Sequence, residues 1–261
     1  MNLQSRFWVL IFFFISGATG LVYEVVWTRL LTRVMGNTHY SIATVLTIFM
    51  AGLALGSYLG GRWIDRRKNP LFFYAVLEAA IGLYCLLVPS LIESASPLFE
   101  WVYQTQTESY SKASLYRFFI CGVILLIPTS LMGATLPVLS KYVSNNRMFV
   151  GRDVGTLYSL NTFGAVFGAL SSAFIFMRVW GVLATIWFAA ALNIGIAVTI
   201  YLFFRSDVIA TSKEEPGQIN RTMESPLLGT NTIFILLAFG FSGWCALTYQ
   251  VAWNRILSLL L

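Results

Sequence analysis

Apolar runs of about twenty residues, separated by short polar punctuation, recur along the chain; they are too long for strands and too uniform for the one-sided stripe of a soluble helix. Seven such runs can be drawn, at 7–32, 40–61, 71–91, 116–140, 154–177, 181–204 and 232–261. Each approaches the roughly 20 residues that carry an α-helix across a hydrocarbon core of about 30 Å. The pattern predicts an all-α fold with seven transmembrane helices. Only the segments 93–114 and 205–231 are long connections. The first sets Glu93, Glu100 and Glu108 beside Trp101, Tyr103 and Tyr110, which suits an outer interfacial segment. The second, with Lys213-Glu214-Glu215-Pro216-Gly217, reads as a flexible cytoplasmic linker.

The first apolar run is echoed by the last. Ser16 to Leu31 returns as Ser242 to Leu257, with 8 identities in 16 positions at a constant offset of 226 residues. The shared positions include Tyr23 with Tyr249, Trp27 with Trp253 and Arg29 with Arg255, whereas Glu24 is replaced by Gln250. A repeat of this length is the size of one half of a transporter-like membrane fold. Residues 1–204 are therefore expected to form a first six-helix half, 205–231 a linker, and 232–261 the first helix of a truncated second half. The repeat also bears on the N-terminus. Arg6 before a short apolar run and Ala18-Thr19-Gly20 imitate a cleavable leader, but the same pattern near residue 242 cannot be one.

Composition agrees with the pattern: 57% of residues are hydrophobic and 11% charged, against roughly 25% charged in an ordinary soluble domain. The net charge of +6 is spread as punctuation between apolar runs, which argues against a nucleic-acid partner and leaves the lipid bilayer as the expected one. With the N-terminus in the cytoplasm, 11 of the 17 Lys and Arg fall on the inside, as the positive-inside rule requires. Cys85, Cys121 and Cys245 have neither metal nor disulfide spacing and read as small core residues. His39 is expected in a solvated outer loop, and Asn220-Arg221-Thr222 would be an unused glycosylation pattern on the cytoplasmic side. No metal site and no catalytic residue are expected.

Polar groups at membrane depth are where function is sought, because an ionisable group in hydrocarbon costs several kcal/mol. Glu78 lies ten residues after Lys68, which at the helical rise is about 15 Å in, near the midplane. Asn161, Asn193, Thr129 and Ser130 count to similar depth, and all five are candidate substrate or cavity residues. Glu24 counts closer to the outer face and cannot readily pair with Arg29 in its own helix. Two readings of the repeat ends stand: Arg29 and Arg255 snorkel to the interface with Trp27 and Trp253 as aromatic anchors, or the repeat ends form a structural hydrogen-bond network. Gly52, Gly56 and Gly60, and Gly164 with Gly168, recur every fourth residue and predict close helix contacts.

The repeated Ser-Gly…Leu-x-Tyr-Glu/Gln-Val-x-Trp-x-Arg opening, Gly52-Leu53-Ala54-Leu55-Gly56-Ser57-Tyr58-Leu59-Gly60-Gly61-Arg62, Leu131-Met132-Gly133-Ala134-Thr135-Leu136-Pro137 and Leu157-Tyr158-Ser159-Leu160-Asn161-Thr162-Phe163-Gly164-Ala165 together resemble the membrane region of the fused major facilitator/spermidine synthase family. The resemblance implies a major-facilitator-like membrane half in the plasma membrane, the inner membrane of a bacterium. It also implies a soluble aminopropyltransferase domain using decarboxylated S-adenosylmethionine and a polyamine. No Gly-rich strand-to-helix turn of such a domain occurs here, so the second half and soluble domain are expected to be missing and these 261 residues to hold no cofactor. Gly61-x-x-x-Asp65-Arg66 resembles the facilitator cytoplasmic signature, in which Gly permits close helix approach and Asp faces a helix N-terminus as a latch. A plain topology-fixing basic loop is the other reading. Three functions follow: a membrane part that anchors an aminopropyltransferase and channels polyamine or another small cation past Glu78, a facilitator-type transporter fragment whose Glu78 carries a coupling proton, or a pure anchor.

Overall fold

The computed structural model describes residues 3–35, 38–105, 110–143, 150–203 and 230–260. All described elements are helical: α1 (Leu3–Met35), α2 (Thr38–Ile64), α3 (Pro70–Ser94), α4 (Ser96–Thr105), α5 (Tyr110–Val143), α6 (Val150–Ser171), a π-helical turn (Ser172–Phe176), α7 (Met177–Val179), α8 (Gly181–Phe203) and α9 (Thr230–Leu260). Among the described residues, seven helical stretches are long and apolar enough to cross a membrane: Ser5–Met35, His39–Ile64, Pro70–Ser94, Lys112–Val143, Val150–Val179, Gly181–Phe203 and Thr232–Ile256. The chain divides into two compact units, Met1–Lys213 and Glu214–Leu261. The expected linker at 205–231, with the glycosylation pattern, falls almost entirely outside the described residues.

The first unit is built from paired long helices. α2 runs along α5, α1 along α6, and α3 packs on both α8 and α5, while α1 also touches α2 and α8. Small residues set the closest approaches. A Cβ added at Gly56 would overlap the Ser130 carbonyl of α5, and one at Gly164 or Gly168 would overlap the Phe14 or Ala18 carbonyl of α1. With no side chain in the way, Ser57 donates a hydrogen bond to the Gly133 carbonyl at 2.8 Å. Gly181, at φ 79°, makes the turn between the short α7 and α8.

Two apolar cores fill this unit. One gathers Tyr23, Val26, Trp27 and Leu31 of α1 with Val45, Ile48 and Phe49 of α2, Ile81, Cys85 and Val88 of α3, Cys121 and Leu125 of α5, and Ile186 and Ala189 of α8. The other gathers Val9, Phe12 and Phe13 with Ile64, Leu71, Tyr74, Val138, Leu139, Leu157, Ile196 and Ile200. Between them lies a waist where each helix switches to small or polar residues: Ser16 to Gly20, Gly52 to Gly60, Glu78, Thr129 to Thr135, Asn161 to Gly168, and Asn193.

Several expectations are corrected by the packing. Trp27, read as an interfacial anchor, is fully buried and stacks on Tyr23 with centroids 5.6 Å apart. A helix apolar on every side does not announce which face is covered, and here the Tyr23–Trp27 face meets the bundle. Thr129 and Ser130 belong to the α2–α5 contact: Thr129 Oγ1 donates to the Leu125 carbonyl at 2.8 Å, and Ser130 backbone faces Gly56. Gly61 does not mediate close approach, since a Cβ there would meet only Pro137 at an ordinary 3.8 Å. Asp65 and Arg66 are exposed, and among the described residues Asp65 has no ion pair. The turn is held instead by Lys141 of α5, whose ammonium donates to the carbonyls of Ile64, Asp65 and Arg67. His39 opens α2 and is half-buried rather than solvated in a loop, and the expected loop at 93–114 contains α4, with Phe99 and Val102 buried.

In the second unit, α9 repeats the opening motif as a helix in its own right. Tyr249 and Trp253 stack at 6.2 Å, the same pairing as Tyr23 with Trp27, but here both rings are exposed. Gln250 and Arg255 are exposed as well. Cys245, read as a core residue, is exposed within this unit, whereas Cys85 and Cys121 are buried.

Candidate functional site

The waist positions one fully buried carboxyl group. α3 starts at Pro70, which fits the first turn of a helix, where its missing N–H goes unneeded. The helix then presents Tyr74, Glu78, Ile81, Gly82 and Cys85 inward. Gly82, one turn beyond Glu78, admits α8: a Cβ there would press on Ile194 at 2.9 Å and on the Ala190 carbonyl at 3.0 Å. That approach brings Asn193 within reach, and its Nδ2 donates to Glu78 Oε2 at 2.9 Å. Glu78 is 0% exposed and Asn193 1%.

Two further hydroxyls, one from α1 and one from α3, stand beside this pair. The Ser16 and Tyr74 hydroxyls adjoin the Glu78 carboxyl group, and the Tyr23 hydroxyl adjoins the Cys85 thiol one layer away. Yet Glu78 Oε1, Asn193 Oδ1, Tyr74 OH and Tyr23 OH end without a hydrogen bond among the described residues. Buried polar atoms left open cost free energy, so a cluster of them marks a place for a ligand or ordered water.

That place adjoins a cavity of about 300 Å³. Its wall includes Ser16, Gly17 and Gly20 of α1, Leu53 and Ser57 of α2, Gly133 of α5, Asn161 of α6 and Asn193 of α8. The volume lies at the lower end of the roughly 300–1,000 Å³ usual for small-molecule sites. Asn161 is held there by the close α1–α6 contact, its backbone carbonyl and Oδ1 both lying against Gly17. Glu78 itself is not on the wall; it stands one layer behind Asn193 and Ser16. Of the five candidate residues, the structure thus gathers Glu78, Asn161 and Asn193 around one cavity, and places Thr129 and Ser130 in a helix contact beside it. Among the described residues no group of three or more His, Cys, Asp or Glu is placed to hold a metal ion.

The remaining motif residues lie elsewhere. Glu24 is half-buried one to two turns beyond the cavity-lining Gly20, with no hydrogen bond or ion pair from its carboxyl group among the described residues, and Arg29 is exposed. Sequence reasoning missed Ser16 and Tyr74 as neighbours of Glu78. Ser16 carried a signal, since it is one of the positions preserved in the repeat as Ser242. It also missed the ion pair between Arg6 of α1 and Asp153 of α6, where Asp153 sits favourably in the first turn of its helix.

The chain is similar to polyamine aminopropyltransferases. It is 24% identical over 204 residues to polyamine aminopropyltransferase 1 of Streptomyces coelicolor, covering 77% of this chain and 35% of that protein. It is 26% identical over 206 residues to polyamine aminopropyltransferase 2 of the same organism, covering 77% of this chain and 35% of that protein. A third relative, the polyamine aminopropyltransferase of Oceanobacillus iheyensis, is 18% identical over 189 residues, covering 72% of this chain and 34% of that protein. No family model and no solved structure matches. The chain spans about a third of the length of the curated relatives it matches, and its similarity to them is of a spermidine synthase-like kind.

Proposed function

We propose that this chain is the membrane-embedded part of a spermidine synthase-like protein, anchoring it in the plasma membrane with the N-terminus in the cytoplasm and receiving a polyamine in the waist cavity. In this reading residues 1–204 are a six-helix, major-facilitator-like half, 205–231 a linker and 232–261 the first helix of a second half, as the repeat suggests. The similarity to polyamine aminopropyltransferases supports the polyamine, and the lengths and apolar composition of the seven helices support the bilayer. One observation carries the site: a carboxyl group fully buried at the waist, held by Asn193 directly behind the wall of a cavity. A carboxylate in such surroundings is a strong attractor for a cation because little water screens it.

Aminopropyl transfer itself belongs outside the site described. The wall of the cavity offers hydroxyl, amide and apolar groups and no carboxylate that could take the ribose of decarboxylated S-adenosylmethionine. The residues present do not fit that co-substrate.

The test is spermidine binding and uptake in proteoliposomes containing the full chain, wild type against Glu78→Gln. Gln keeps the shape and can still bond to Asn193 while removing the charge. Affinity is expected to fall at least about tenfold, which is about 1.4 kcal/mol. Unchanged binding by a correctly folded variant would remove Glu78, and with it the cavity, from the function.

A further inference from the structure

Two amide side chains, those of Asn161 and Asn193, stand on the cavity wall, the second bonded to Glu78. As a carboxylate Glu78 only accepts, so it draws the Nδ2 side of Asn193 toward itself and turns the amide oxygen away. That oxygen, Oδ1, belongs to a residue on the cavity wall, is buried and has no partner among the described residues. The wall also carries Asn161, whose Oδ1 lies against Gly17, itself a wall residue, and Ser16, whose hydroxyl can accept. Of the other wall hydroxyls, three are already spent as donors inside the protein, Ser57 on the Gly133 carbonyl at 2.8 Å, Thr19 on the Ser16 carbonyl at 2.9 Å and Thr135 on the Met132 carbonyl at 2.6 Å, and the fourth belongs to Tyr158, an exposed residue.

We infer that the α1, α6 and α8 side of this cavity is a recognition site for a primary ammonium group, with Asn193 Oδ1, Asn161 Oδ1 and Ser16 Oγ accepting its N–H bonds and Glu78 supplying the counter-charge from one layer behind. This deepens the reading that the cavity receives a cationic amine, and rests on it. A primary ammonium brings three N–H donors and no acceptor, the complement of these three oxygens. Glu78 then works twice: its charge attracts the cation, and its hydrogen bond fixes the amide so that oxygen rather than nitrogen faces the ligand. The apolar remainder of the wall, Leu53 and Met132 among it, suits the methylene chain behind the ammonium. No Lys or Arg lines the cavity to compete for these acceptors.

The experiment separates charge from hydrogen bonding. In nanodiscs holding the full chain, 1,4-diaminobutane is compared by calorimetry with its fully N-methylated counterpart, which keeps both charges and has no N–H. The unmethylated amine is expected to bind at least tenfold more tightly, and Asn161→Leu and Asn193→Leu should each shrink that preference severalfold while affecting the methylated compound less. Equal affinities for the two compounds in wild type, or a preference that survives in both variants, would overturn the ammonium recognition and leave an amine-accepting cavity standing. Binding of neither compound would overturn the cavity reading as well.

Discussion

Replacing Gly168 by Ala tests whether backbone contact between α1 and α6 holds the first unit together. A Cβ at Gly168 would overlap the Ala18 carbonyl oxygen and lie 2.7 Å from its carbon and 2.8 Å from Ala18 Cα. All three are backbone atoms, so no rotamer change relieves the clash. To restore a carbon contact of about 3.5–4.0 Å, the helices must part by roughly an ångström along that line. Overpacking of this kind costs about 1–3 kcal/mol, against which the better helix propensity of Ala returns about 0.8–1.0 kcal/mol. With three rigid contacts the cost sits at the upper end, leaving a net loss of about 2 kcal/mol. Gly195 is the control: it lies on α8 with nothing within 4 Å of an added Cβ, so Gly195→Ala keeps only the propensity gain of about 1 kcal/mol. The variants should differ by about 3 kcal/mol, or roughly 6–12 °C in Tm by the usual scaling for chains of this size. A fluorogenic thiol dye reads the transition, because Cys85 and Cys121 are buried and report unfolding once exposed Cys245 is replaced by Ser. Equal melting temperatures for the two variants, or a more stable Gly168→Ala, would refute the argument.

Two more predictions concern the polar ties at the ends of the helices. Lys141→Met removes the clamp on the Ile64, Asp65 and Arg67 carbonyls, and amide exchange at Asp65–Arg67 should quicken by about tenfold relative to α2; unchanged protection would show the turn to be self-sufficient. Asp153→Asn should cost only about 1 kcal/mol, because Arg6 is 40% exposed and solvent screens the pair. A double-mutant cycle with Arg6→Gln isolates that coupling, and a value near zero would assign the contact to packing.

The helices were legible because a twenty-residue apolar run leaves few alternatives, and counting along one of them singled out Glu78, which the bundle buries. The depth of a residue, however, fixes only one of its two coordinates on a helix. Thr129 and Asn193 count to similar depth, but α5 turns the first into the α2 contact and α8 turns the second onto the cavity. Rotation about the axis depends on partners far away in sequence, as with Asn193 and Glu78, 115 residues apart. Motif likeness misled for a related reason: Gly61 and Asp65 match a pattern, while the residue that secures that turn is Lys141, 76 residues beyond Asp65. The π-helical turn at Ser172–Phe176 left no trace in composition, since a single widened turn changes no hydrophobic period.

The waist between the two cores also governs how a charge at Glu78 is felt. Apolar material lies toward both ends of the unit, from Tyr23 to Leu31 on one side and from Val9 to Phe13 on the other, and it polarises little. Field lines from an ionised Glu78 are therefore channelled sideways, through the amide of Asn193 and into the cavity, as in any low-dielectric cleft. The cores would act as insulation on a wire, so that a cation placed in the cavity would meet an ionised Glu78 more strongly than one at either end of the bundle.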